Sequence, residues 1–191
     1  MLDAAAELLL ETRSLTFTLA EVGVRAGYSR GLPGQAFGSK AGLVSELVQH
    51  LLDRTDETTW PHTLRGEGLA AVLATVRLVF DAPELHARLS IATQVLLLEG
   101  TRPNSPYQAV VSRLNRSTTG YLAKQVRIAI ERGEVRPDVD AKAQGILIHG
   151  AVRGALLQHW LDPTRIPLAD LRDELLRIIE RNLTPPAVAP D

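Results

Sequence analysis

The chain has 191 residues, 45% hydrophobic and 23% charged, which allows a substantial buried core and excludes a compositionally disordered chain. It contains no cysteine, so disulfides, thiolate zinc sites and thiol catalysis are excluded. Net charge is −1, and the first fifty residues carry the same value, Arg13, Arg25, Arg30 and Lys40 standing against Asp3, Glu7, Glu11, Glu21 and Glu46. A polyanion partner would therefore have to be held by placement of individual side chains and not by bulk charge.

Hydrophobic spacing predicts helices throughout and no strand. Leu2, Ala6 and Leu9 set a first helix, broken at Arg13-Ser14. Thr18-Leu19-Ala20-Glu21 has the form of a capping box, so a second helix starts at Leu19 and stops at Gly27. Ser29 is read as the cap of a third short helix, which places Pro33 near its fourth position, and Ser39 as the cap of a fourth through Leu43, Leu47 and Leu51, ended by Trp60-Pro61. Leu69, Val72, Val76 and Val79 form the next stripe, halted at Ala82-Pro83, and Leu85, Leu89, Ala92 and Leu96 another, halted at Gly100. Tyr107, Leu114, Tyr121 and Ile128 mark a long helix that Gly133 ends. Asp140 caps a helix to Leu161, and the last begins near Pro167, read as a first-turn proline. The fold class is all-α, about nine helices: an N-terminal three-helix helix-turn-helix domain, 1–48, then a helical-bundle effector-binding and dimerisation domain, 49–183, with 184–191 expected to be a disordered tail.

No apolar run reaches the length of a bilayer span, and the start carries acids where a secretion signal would carry bases, so no membrane partner and a cytoplasmic location are expected.

Residues 18–37 carry the most information. Gly23 lies four before Gly27, where a side chain would strike the following helix, and Gly27 can adopt the left-handed turn that joins two short helices. Here the sequence resembles the TetR family of transcriptional regulators. The resemblance rests on Leu2-Asp3-Ala4-Ala5-Ala6-Glu7-Leu8-Leu9, Thr18-Leu19-Ala20-Glu21-Val22, Ala26-Gly27-Tyr28-Ser29-Arg30-Gly31 and Phe37-Gly38-Ser39-Lys40-Ala41-Gly42-Leu43, the last block being the most specific. A weaker likeness lies at 132–140 and 154–163. The resemblance implies a homodimer on a palindromic double-stranded DNA operator, with recognition helices about 34–36 Å apart or further. It also implies a repressor released by a small-molecule effector of unknown identity, through a coupling of about 1–3 kcal/mol. Relatives often carry a basic arm ahead of the first helix; this sequence opens on that helix, so either the protein lacks the arm or its start lies upstream.

The DNA-binding candidates are Thr18, Tyr28, Ser29, Arg30, Gln35 and Lys40. Arg30 can meet a phosphate or a guanine edge, Gln35 an adenine, and Lys40 a phosphate at a helix start. Thr18 is first a cap, Tyr28 either a core residue or a phosphate ligand, and Phe37 core. The family's usual Leu-Tyr-x-His-Phe stretch is replaced by Pro33-Gly34-Gln35-Ala36-Phe37, which either reduces affinity or shifts readout onto Tyr28, Ser29, Arg30 and Gln35. In the second domain Trp60, Phe80, His86, Gln94, Tyr107, Tyr121 and His149 are candidates for an effector pocket, against the plain alternative of core packing. Gly150 and Gly154, flanked by Ala151 and Ala155, allow close helix approach at a dimer interface or within one subunit. The five histidines show no i, i+4 pair, and no catalytic triad, phosphate loop or paired carboxylates stand out. No metal, cofactor or enzymatic activity is expected. The main alternative is a dimeric small-molecule-binding relative that has lost sequence-specific DNA binding; a helical enzyme ranks below both.

Overall fold

The computed structural model describes residues 1–54, 66–81 and 84–185, without the side chains of 51–54 and 84–89. Trp60, the Trp60-Pro61 stop and the end of the tail lie outside these residues. Within them the secondary structure is entirely helical: α1 (Leu2–Thr12), α2 (Leu19–Arg25), α3 (Leu32–Phe37), α4 (Lys40–Arg54), α5 (Leu69–Asp81), α6 (Glu84–Gly100), α7 (Gln108–Glu131), α8 (Ala141–Leu161) and α9 (Leu168–Leu183). This is the all-α order read from the sequence. No described helix is long and apolar enough to cross a membrane.

Packing divides the chain into two compact units, 1–59 with 84–116 and 60–83 with 117–191. The first unit therefore joins the helix-turn-helix to α6 and the first turns of α7. Its core runs from Ala5, Leu8 and Leu9 of α1 through Leu43, Val44, Leu47 and Val48 of α4 to Val95 and Leu96 of α6 and Val111 and Leu114 of α7. Leu15 and Phe17, in the link between α1 and α2, are buried in it. α1 ends on Arg13, a left-handed residue with φ 48°. Outside that core, the Arg25 guanidinium ties α2 to α1 by a bidentate bond to Glu11, at 2.6 and 2.7 Å.

The second unit packs Val72, Val76 and Phe80 of α5 against Val126 of α7, Ile148 and Val152 of α8, and Leu176, Ile179 and Leu183 of α9. The free amides at the start of α5 are satisfied from a distance in sequence: Gly68 N–H donates to Gln125 Oε1 at 3.0 Å, and Leu69 N–H to Glu134 Oε2 at 2.8 Å. Arg136 closes the other end, its backbone N–H donating to Leu183 O at 2.9 Å and its guanidinium to Asn182 O at 2.8 Å. The segment 132–140 is thus a clasp holding the start of α5 and the end of α9. Asp140 caps α8 by accepting from Lys142 N and Ala143 N. Pro167 stands at the cap position of α9, one residue before the first turn where the sequence placed it.

Candidate nucleic-acid interface

The frame of the helix-turn-helix is built from short-range chemistry. Thr18 Oγ1 accepts from Glu21 N at 3.2 Å, and Thr18 N–H donates to Glu21 Oε2 at 2.6 Å, so the capping box is complete. The Thr18 amide and hydroxyl both donate to Glu21 Oε2 and hold its carboxyl below the usual range. After α2 the chain turns on Gly27, with φ 77°. Tyr28 N–H then returns to Gly23 O at 2.8 Å. A β-carbon on Gly23 would lie 2.6 Å from Ser29 O and 3.0 Å from Pro33 Cδ, so α3 can sit where it does only against a glycine.

The block Phe37–Leu43 has an equally local cause. Gly38 takes φ 69°. Ser39 Oγ accepts from Gly42 N at 3.1 Å and caps α4. A β-carbon on Gly42 would overlap Phe37 O. Phe37 is half-buried against the core.

Ser29 is not the cap of α3, contrary to the sequence reading. It closes a turn through its carbonyl, which accepts from Leu32 N at 3.2 Å, and the helix starts at Leu32 with Gly31 before it. The reason is Pro33: a residue without an N–H fits best where a helix leaves its first amides unused, and here it occupies the second helical position and is buried. It therefore removes no bond from α3.

The candidates are placed as follows. Tyr28 is 53% exposed and not core. Ser29, Arg30 and Gln35 are exposed as well, and among the described residues none of these four side chains is engaged in a hydrogen bond or ion pair. Thr18 is exposed, its hydroxyl committed to Glu21. Lys40 faces inward: its ammonium donates to Leu15 O and stands 5.0 Å from the centre of the Phe17 ring. Burial lowers its pKa, against the opposing pull of Glu99 and Glu21. Val24, on the last turn of α2, is also exposed, at 57%.

No protein-family model and no curated protein matches the sequence. Solved structures do. A Rhodococcus sp. protein described as a TetR-family transcriptional regulator superposes with a TM-score of 0.79 at 18% identity, covering 96% of each chain. A transcriptional regulator from Saccharomonospora viridis, in complex with choline, gives 0.79 at 17% identity over 97% of this chain and 96% of its own. SmeT of Stenotrophomonas maltophilia, the repressor of the SmeDEF multidrug efflux pump, bound to triclosan, gives 0.70 at 19% identity over 100% and 95%. The chain has the TetR-family fold.

Within this TetR fold the effector candidates fall in both packing units. Gln94 and Tyr107 belong to the first; Gln94 is buried with Oε1 unbonded, and burial raises the Tyr107 phenol. Phe80, Tyr121 and His149 belong to the second, Phe80 inside its core and Tyr121 packed against it. His149 on α8 is buried, its Nε2 without a hydrogen-bond partner, and burial with the nearby Arg153 depresses its pKa to about 4. Arg153 itself, one turn on, is lowered by burial to about 10 and keeps its charge at neutral pH. Trp60 and the His86 side chain lie outside the described residues. No group of three or more metal-ligating side chains occurs among the described residues.

Proposed function

We propose that this protein is a transcriptional regulator that binds a palindromic DNA operator as a homodimer through residues 1–48 and is released by a small molecule held in residues 49–183. The observation that carries the reading is the pairing of a frame closed by Gly23, Gly27 and Gly42 with exposed, unengaged Tyr28, Ser29, Arg30 and Gln35. Four polar or aromatic side chains on this helix-turn-helix, engaged by nothing among the described residues, suit contacts to phosphates and base edges. Thr18 serves this surface by fixing the start of α2. Lys40, spent on Leu15 O, contributes by holding α4 to the link before α2.

Dimerisation is supported by α8. Gly145, not Gly150 or Gly154, makes the internal close approach: a β-carbon there would lie 2.6 Å from Thr119 O on α7. A β-carbon on Gly150 or Gly154 would meet no described atom within 4 Å, and Leu147, Leu157 and Leu161 of the same helix are exposed. An apolar stripe with small residues at its centre suits a second copy of the same helix. Small-molecule control is supported by the choline and triclosan complexes of proteins with this fold, with Gln94 and Tyr107 as candidates in the first unit and, separately, Phe80, Tyr121 and His149 in the second.

Selection of genomic fragments on the purified full-length chain, followed by mobility shifts from low to high salt, tests the reading. Specific retention that weakens steeply with salt supports it. Absence of retention at every salt concentration refutes it and favours the second reading, a dimeric ligand-binding protein without DNA contact, for which the inward Lys40 argues.

A further inference from the structure

Six glycines fall between Gly23 and Gly42, and the fold accounts for all but one. Gly23 and Gly42 have no room for a side chain, and Gly27 and Gly38 take positive φ. Gly31 stands at the start of α3, where glycine is common. Gly34 has none of these reasons. It is helical, it sits inside a helix of six residues, and a β-carbon there would meet no described atom within 4 Å. Glycine is, after proline, the poorest helix former. The chain thus keeps a weakening residue where alanine would fit.

Its neighbours show what the space is for. Gln35 and Ala36 are exposed, and the Gln35 amide is not engaged among the described residues. An adenine–thymine pair presents, in the major groove, an acceptor and a donor on adenine and a methyl group on thymine. A glutamine amide matches the first two, and an alanine methyl packs on the third. Bare backbone beside them lets the helix approach the base edges more closely than a side chain would permit.

We propose that Gly34, Gln35 and Ala36 form the base-reading surface of α3, and that it reads an adenine–thymine pair in each half-site. This rests on the operator-binding reading above. These three residues, which lie where the sequence departs from Leu-Tyr-x-His-Phe, are then a different reading head, not a decayed one.

The test uses the full-length chain, a random double-stranded pool, and the variants Gly34→Ala and Gln35→Ala. The wild type enriches a palindromic motif with one fixed adenine–thymine pair per half-site. Gln35→Ala lowers discrimination at that pair by roughly 5- to 150-fold and leaves other positions unchanged. Gly34→Ala raises Tm by about 2–4 °C yet weakens binding to the motif by about tenfold or more. A motif enriched equally by wild type and both variants overturns the inference and leaves the operator reading standing. A uniform loss at every base for Gln35→Ala, or a lowered Tm for Gly34→Ala, also overturns it, since the residues would then serve phosphate binding or the fold. No motif enriched by the wild type refutes the operator reading itself.

Discussion

Thr18 both gives and receives in the capping box, so its hydroxyl and amide fix the angle at which α2 leaves the core. Thr18→Ala should cost about 1 kcal/mol and lower Tm by about 2–4 °C in a thermal melt, because Glu21 N loses its acceptor. His149 works on pH. Its folded pKa is pushed to about 4, chiefly by burial and then by Arg153, from the ordinary 6.5. Between those values the unfolded chain takes up the proton and the folded chain does not. Stability should therefore be flat above about pH 6.5 and fall toward about pH 4, by on the order of 3 kcal/mol from this residue. Urea unfolding across that window, compared with His149→Leu, checks it: the variant should show the shallower slope, and parallel curves would show that His149 is not the group responsible.

Among the elements, α8 separates two uses of glycine that sequence spacing could not tell apart. Gly145→Val should push α8 off Thr119 and Ala123 of α7 and cost about 1–3 kcal/mol by overpacking, read as a lower urea midpoint at unchanged slope. Gly154→Arg meets no described atom of its own chain. On the proposed dimer it should convert the protein to monomer in sedimentation while the helical circular dichroism persists; an unchanged dimer would move the interface elsewhere. The sequence spelled out most helix limits, because capping boxes and positive-φ glycines act within a few residues. It misplaced the start of α3. Ser29 has the right chemistry for a cap, but the start was set by where Pro33 loses nothing, a comparison between two local rules and not the reading of one. Side-chain commitments over distance were not legible at all: Lys40 reaches a carbonyl 25 positions back, and neither residue carries a signal of the other.

At the scale of the whole molecule, the helix-turn-helix shares one core with later sequence. Leu9, Val44 and Leu47 lie in the same cluster as Ala92, Val95 and Leu96 of α6 and Val111 and Leu114 of α7. A fragment of residues 1–59 should therefore lack cooperative unfolding, since part of its core would face water, whereas the full chain melts sharply; a cooperative fragment would show that α6 and α7 are dispensable to it. This sharing was invisible in periodicity, which reports that a face is buried and not against what.

The apolar stripe on α8 also bears on dosage. Leu147, Leu157 and Leu161 are exposed on the single chain. If operator binding requires two such stripes to meet, the active species grows with the square of chain number while pairing is incomplete. Occupancy of a promoter would then respond more steeply than in proportion to expression, and halving the gene copies would remove more than half of the control.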